Sequence, residues 1–153
     1  MKYQFFSLTD PGRVRTNNED AVTLDEEHGV AVLADGMGGY NAGEVASGMA
    51  TTFIRSELVR WLTSGTQKSS TAQVARALDL CVQKANTSIL NAAVSNPQYA
   101  GMGTTLVVAV FRGLSLVLGH VGDSRCYRLR AGALSQLTKD HSMLQEQVDA
   151  GLL

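Results

Sequence analysis

The order of apolar patterns along the chain predicts an α+β fold, with helices packed on a mainly antiparallel sheet. Three observations predict it. Alternating and β-branched apolar runs fill the region before residue 37, two long stretches of helical periodicity occupy the middle, and short β-patterned runs follow residue 103. Those late runs are separated by two-residue turns, and strands joined so tightly pair antiparallel. At 153 residues the chain makes one domain, 1–153, with enough length to bury a core.

Taken in order, residues 3–8 are apolar and aromatic enough for a first strand. Asp10-Pro11-Gly12 then makes a turn, because Pro fixes φ and Gly relieves the next position. Residues 13–20 are polar. The alternating run 21–24 turns back through 25–29 into a strand led by Val30 and Val32 and ending at Asp35. This hairpin brings Glu19, Asp20 and Asp35 to one sheet, although Glu19 and Asp20 cannot point the same way in extended structure. Asn41 with Glu44 reads as a helix N-cap pairing, and Val45, Met49, Phe53, Leu58, Trp61 and Leu62 as the apolar stripe of a long helix. After a polar linker at 64–70, Ser70 with Gln73 repeats the capping signature. Val74, Leu78, Cys81, Ala85 and Ile89 form the second stripe. Two such helices, short-linked, lie antiparallel.

Residues 95–103 read as a loop, and 104–111 with 114–121 as a hairpin turning through Arg112-Gly113. Both strands are apolar at nearly every position, so they expect cover on both faces. Gly122-Asp123-Ser124-Arg125 interrupts, then 126–130 and 133–137 pair through Ala131-Gly132. The closing stretch 140–153 turns helical around Leu144, Val148 and Leu152.

Thirteen basic against fourteen acidic residues give a net charge of −1, which offers no electrostatic case for nucleic acid or a membrane surface. No apolar run reaches spanning length and the N-terminus lacks a signal-peptide layout, so a cytoplasmic protein is expected. Cys81 and Cys126 are the only cysteines and read as two buried, reduced thiols.

The chemistry centres on Asp35, which ends an apolar strand and precedes Gly36-Met37-Gly38-Gly39. A carboxylate leaving the core must be paired, hydrogen-bonded or metal-bound. Glycines let the backbone approach closely, carbonyls included, and hard cations favour carboxylate and carbonyl oxygens. Alone, this stretch divides evenly between a metal site and a tight structural turn. Asp123 repeats the logic after the strand ending at Val121. Carboxylates thus stand at three strand edges, Glu19/Asp20, Asp35 and Asp123, without a basic run to neutralise them, and together they favour a cation cluster. Arg15 is the one well-placed positive group, suited to bidentate phosphate binding or else a surface arginine.

These motifs resemble the metal-dependent serine/threonine phosphatases of the protein phosphatase 2C family, in its bacterial form. Arg15 with Asn18-Glu19-Asp20, Asp35-Gly36-Met37-Gly38-Gly39, Gly43-Glu44-Val45-Ala46-Ser47, Gly103-Thr104-Thr105, Gly122-Asp123-Ser124-Arg125, Leu137-Thr138 and Asp140-His141-Ser142 occur in family order. The resemblance implies an antiparallel β-sandwich flanked by pairs of antiparallel helices. It implies a centre of two Mn²⁺ or Mg²⁺ ions with a bridging water. Asp35 would bridge both, the Gly36 carbonyl would ligate one, and Asp20 with Glu19 would lie on or just behind that shell. Asp123 matches the place of a third, weaker metal, and Arg15 would grip the phosphoryl oxygens. Met37 stands where eukaryotic relatives carry the histidine taken as general acid. The family's further metal-binding aspartates and remaining sandwich strands would follow residue 153, so only the N-terminal part of the domain is expected here. The chain alone is expected to be inactive.

The implied activity is hydrolysis of phosphoserine and phosphothreonine in proteins that a serine/threonine kinase has modified, by a monomer when complete. A truncated, non-catalytic module that binds or regulates a phosphoprotein is the alternative reading. Phosphatase chemistry on a small molecule is a third.

Overall fold

Val30, Val32, Ala34 and Gly36 are buried while the residues between them are more open, the period-two signature of a strand covered on one face. They belong to β2 (Val30–Met37) in the computed structural model, which describes residues 2–39, 42–64 and 69–152. β1 (Asp20–Asp25) pairs with one edge of β2, and the other edge takes β3 (Gly103–Thr104) and β4 (Leu106–Arg112). β5 (Ser115–Val121) pairs with β4, so the five strands form one antiparallel sheet in the order β1-β2-β4-β5, with β3 beside β2. β6 (Tyr127–Arg130) and β7 (Ala133–Gln136) make a separate two-stranded ribbon. The helices are α1 (Ala42–Ser64), α2 (Thr71–Ser95) and α3 (Met143–Asp149). This is the α+β, antiparallel layout that the patterns imply.

α1 and α2 cover one face of the sheet. Val30, Val32, Val108 and Val110 from the strands meet Ile54, Leu58, Val74 and Leu78 from the helices in the main core. Each fully buried side chain of this kind contributes about 1.5–3 kcal/mol of transfer free energy. α2 follows its sequence pattern closely. Val74, Leu78, Cys81, Ala85 and Ile89 are all buried, and Ser70 with Gln73 forms the reciprocal capping box.

α1 departs from its expected stripe. Leu58 and Leu62 are buried as expected, but the rest of the inward face is Ala42, Gly43, Ala46, Ser47, Ala50, Thr51 and Ile54. Val45, Met49, Phe53 and Trp61 flank it, partly buried. The cause is distance. The start of α1 lies so close to β2 that a Cβ on Gly36 would sit 2.0 Å from the Gly43 carbonyl oxygen. Only small residues fit there, and ranking by hydrophobicity picks out the bulky residues beside them. The buried hydroxyls are satisfied locally, Ser47 donating to the Glu44 carbonyl at 3.2 Å and Thr51 to the Ser47 carbonyl at 3.0 Å. The expected Asn41 cap and residues 65–68 of the linker lie outside the described residues.

Other expectations need correction. Residues 3–8 form no strand. Tyr3 and Phe5 instead pack their rings on Phe111, at 5.3 and 5.8 Å between centroids, while Phe6 and Leu8 stay 90% and 94% exposed. Apolar character without a neighbouring ladder does not make a strand. The 95–103 loop contains a 3₁₀ turn at Pro97–Tyr99 and buries Met102. The terminal helix is shorter than expected, because Asp140 and His141 are engaged elsewhere and Ser142 caps it through the Gln145 N–H. The two cysteines are free, Cys81 buried and Cys126 half-buried, and burial pushes both thiols up. The uncovered face of the sheet carries Val22, Leu24, Leu33, Leu116 and Leu118, with Leu33 43% exposed.

Two glycine substitutions separate close approach from helix propensity. Gly36→Ala drives a methyl into backbone and should cost about 3 kcal/mol, the upper range for overpacking. Gly48→Ala, also at the level of α1 but with open space around its Cβ, should stabilise by about 1 kcal/mol. Urea unfolding of both variants checks the pair, and equal effects would refute the close-contact account.

Candidate metal centre

The site grows out of strand register. Asp20 stands directly opposite Asp35 in the β1–β2 pair, so both carboxylates project from the uncovered face at the same end of the sheet. Partial burial first, then the Asp20 charge and hydrogen bond, push the Asp35 carboxyl above its ordinary range. Asp123 pushes in the same direction, and Arg15 opposes it. The fold therefore brings Arg15, Asp20 and Asp123 within electrostatic reach of Asp35.

Glu19 is held apart from this group. Alternation turns its side chain to the helix-covered face, where a Cβ on Gly43 would lie 2.6 Å from its Oε1. That places its carboxylate at the first turn of α1, which the positive end of the helix favours. Its carbonyl accepts the Gly36 N–H at 3.0 Å. Glu19 thus sits behind Asp20 across the sheet.

The backbone of Asp35 is fixed from the β4 side. Register is the same on either side of Thr105, which faces Asp35. Yet the Asp35 N–H donates to the Thr105 hydroxyl at 3.0 Å, while the Thr105 N–H donates to the Asp35 carbonyl at 2.9 Å. The Thr105 hydroxyl stands in for its own carbonyl, and that carbonyl accepts from the Thr104 hydroxyl at 2.9 Å. Thr104 is also 3.0 Å from the Asp35 carbonyl oxygen.

The Asp123 turn is fixed from three directions. Thr105 and Ser124 share a hydroxyl–hydroxyl bond of 2.7 Å. The Gly122 N–H donates to His141 Nδ1 at 3.3 Å, and the His141 N–H returns a bond to the Gly122 carbonyl at 3.0 Å. Arg125 forks onto the Asp140 carboxylate through Nε and Nη2, at 2.9 and 2.6 Å to its two oxygens. His120 packs on His141, with ring centroids 4.6 Å apart, and bonds the Lys139 carbonyl through Nε2 at 2.7 Å. Both imidazoles are therefore engaged in holding loops. Thr105, Ser124, Arg125, Asp140 and His141 fell within quoted motifs, but only the tertiary contacts reveal what they do.

Among the described residues no three His, Cys, Asp or Glu side chains group tightly enough to hold a metal ion alone. The opposed Asp20–Asp35 pair still fits a hard cation, because such ions are commonly held by one or two carboxylates and keep several waters. Two carboxylates facing each other, with no ion pair of their own among the described residues, suit a divalent counter-ion. No helix of the described residues is long and apolar enough to cross a membrane.

Comparison with known proteins defines the class. A family model, protein phosphatase 2C, matches residues 12–148, and the chain belongs to that family. The serine/threonine protein phosphatase PstP of Mycobacterium tuberculosis is 38% identical over 148 residues, covering 97% of this chain and 27% of PstP. The serine/threonine phosphatase stp of Listeria monocytogenes is 37% identical over 150 residues, covering 94% of this chain and 56% of that protein. The crystal structure of the PstP catalytic domain in complex with two manganese ions superposes with a TM-score of 0.80 at 39% identity. That match covers 95% of this chain and 59% of the other. The chain thus spans little more than half, or less, of the relatives it matches.

The Arg125–Asp140 fork makes a prediction about pH. Its hydrogen bonds hold the Asp140 carboxyl below the ordinary range. A depressed carboxyl adds stability above its unfolded pKa and loses it as pH falls through the folded one. Wild type should therefore exceed Asp140→Asn in urea midpoint at pH 7. The gap should narrow below about pH 4 and close once the carboxyl is protonated. A gap independent of pH would show the fork is not electrostatic.

Proposed function

We propose that the protein carrying this chain is a metal-dependent serine/threonine phosphatase that removes phosphate from phosphoproteins. The observation that carries the reading is the facing pair Asp20 and Asp35, with Asp123 and Arg15 in electrostatic reach. Family membership supports it, as does the manganese in PstP.

In this reading Asp20 and Asp35 hold Mn²⁺ or Mg²⁺ on the uncovered face, with the Gly36 carbonyl as a neutral ligand. Asp123 holds a further, weaker ion. Divalent cations there supply an activated water and neutralise charge on attacking and leaving oxygens of an in-line displacement. Arg15 binds phosphoryl oxygens, where a planar fork fixes orientation as well as charge. Glu19, behind the sheet, steadies the strand end that carries Asp20. Met37 carries no proton to give, is 65% exposed, and leaves protonation of the departing alkoxide to solvent at the site.

A second reading is favoured by one observation, the lack of a third close carboxylate among the described residues. It makes the protein a phosphoprotein-binding module without turnover. The two are separated in the full-length protein by Mn²⁺-dependent release of phosphate from a phosphothreonine peptide, beside peptide binding. Binding without release would select the second reading.

Two substitutions divide the labour. Asp35→Asn removes charge at nearly constant shape and should weaken Mn²⁺ binding by more than roughly tenfold, with turnover lost. Arg15→Ala should leave Mn²⁺ binding unchanged and raise KM for the peptide by about ten- to a hundredfold, the size of a lost charged hydrogen bond. Arg15→Lys should recover part of it. Calorimetric titration and steady-state kinetics report the two effects, and a wild-type KM in Arg15→Ala would refute its role.

A further inference from the structure

The Thr105 side chain touches both the strand end that presents Asp35 and the turn that presents Asp123. Its hydroxyl accepts the Asp35 N–H at 3.0 Å and bonds Ser124 Oγ at 2.7 Å. Its methyl lies under Gly122, where an added Cβ would come within 2.8 Å of Cγ2. Gly122 has φ of +96°, so the turn into Asp123 needs a glycine on two counts, its backbone and the space taken by Thr105. Thr105 keeps one ladder bond, its N–H to the Asp35 carbonyl, and gives up the other, since its hydroxyl replaces its carbonyl opposite Asp35.

We propose that Thr105 is a positioning residue that couples the Asp35 strand end to the Asp123 turn, so that the two carboxylates are set relative to each other before any cation arrives. The coupling runs Asp35 N–H, Thr105 Oγ1, Ser124 Oγ, with the methyl packed beneath Gly122. A regular strand at this place would hold Asp35 equally well through the Thr105 carbonyl. It would leave no hydroxyl committed to both segments. His141 clamps Gly122 from the far side, so a shift at Ser124 passes to the whole turn. The proposal rests on the phosphatase reading only in what the coupling serves; the coupling itself is a property of the metal-free fold.

Amide hydrogen exchange in the metal-free, full-length protein tests the coupling. In Thr105→Val, which keeps the shape and removes the hydroxyl, the Asp35 amide and the amides of Gly122 and His141 should all exchange about tenfold faster. Thr105→Ser restores the hydroxyl and should return the Asp35 amide to its wild-type rate. Ser124→Ala should speed only the Gly122 and His141 amides. Adding it to Thr105→Val should change nothing further, because both break one bridge. Faster exchange at Asp35 alone in Thr105→Val would overturn the coupling, as would additivity in the double variant. Should Thr105→Val not fold, Ser124→Ala decides by itself, and unchanged Gly122 and His141 amides there refute the bridge.

Mn²⁺ titration of the same proteins then asks what the coupling is for. Thr105→Val should bind Mn²⁺ about tenfold more weakly, and Thr105→Ser should be near wild type. Wild-type affinity in Thr105→Val would overturn the positioning role. A wild-type protein that binds no Mn²⁺ would instead sink the phosphatase reading, while the exchange data still judge the bridge.

Discussion

Everything at the site depends on a contact in which no side chain takes part. Strand β2 ends against the first turn of α1, with Gly36 and Gly43 so close that a single methyl on either would meet backbone or the Glu19 carboxylate at 2.0–2.8 Å. Backbone packed directly on backbone leaves little room for rocking, since interiors are dense and short contacts rise steeply in energy. It fixes the depth and tilt of the strand end. Period two does the rest. With Gly36 turned to the helix, Asp35 must turn to the other face, and its partner across the ladder, Asp20, must turn with it.

A second consequence follows for the backbone of Asp35. Its amide points away from β1, toward the strand that continues into β4. A plain ladder would satisfy it, but the Gly103-Thr104-Thr105 segment answers with hydroxyls as well as amides. Side-chain donors and acceptors reach further than the ladder, and so one strand end becomes tied to the turn after β5. The turn in its place is held by a second layer, where Cys126 N–H meets the Thr138 hydroxyl at 3.0 Å and Arg125 meets Asp140. The loop 138–142 therefore serves as a brace for the loop 122–125.

The sequence displayed these parts unequally. Strands β2, β4 and β5 were readable because β-branched apolar runs bounded by glycine leave few alternatives, and α2 because its inward face is made of large residues at helical spacing. α1 was readable as a helix but not in its rotation, since its inward face is alanine, serine, glycine and threonine. Hydrophobic ranking carries no information on how near two backbones approach. Residues 3–8 misled in the opposite sense, apolar enough for a strand that the sheet does not accept. Among the candidate site residues, strand ends pointed to Asp20, Asp35 and Asp123, and Arg15 stood out only as the positive group nearest them in sequence. Alternation alone says that Glu19 and Asp20 face opposite ways, and the register with Asp35 says which of the two faces away. The roles of Thr105, Ser124 and His141 had no local signal, because each acts through a partner 19 to 70 residues away.

The acidic side chains themselves divide into two kinds, and the division is physical rather than positional. Asp140 and Asp149 have cations of the chain beside them, Arg125 and Lys139, and their carboxyls are held low. Asp25, though burial works against it, is also lowered by hydrogen bonds from the His28 backbone and ring. These groups are neutralised from within, and their charge is spent on the fold. Asp35 is the opposite case, raised by burial and by Asp20, with Asp123 adding to the excess and Arg15 offsetting part of it. In sequence all of them are aspartates near the ends of strands or helices or in turns, and nothing local distinguishes them. A fold that places a facing pair of carboxylates on an open face, and gives its own cations to other acids, keeps an electrostatic deficit there. That deficit must be met from outside by a cation or by protons. A facing pair short of positive charge, with the Arg15 guanidinium near enough to offset part of it, is the arrangement on which the proposed metal and phosphate binding rests.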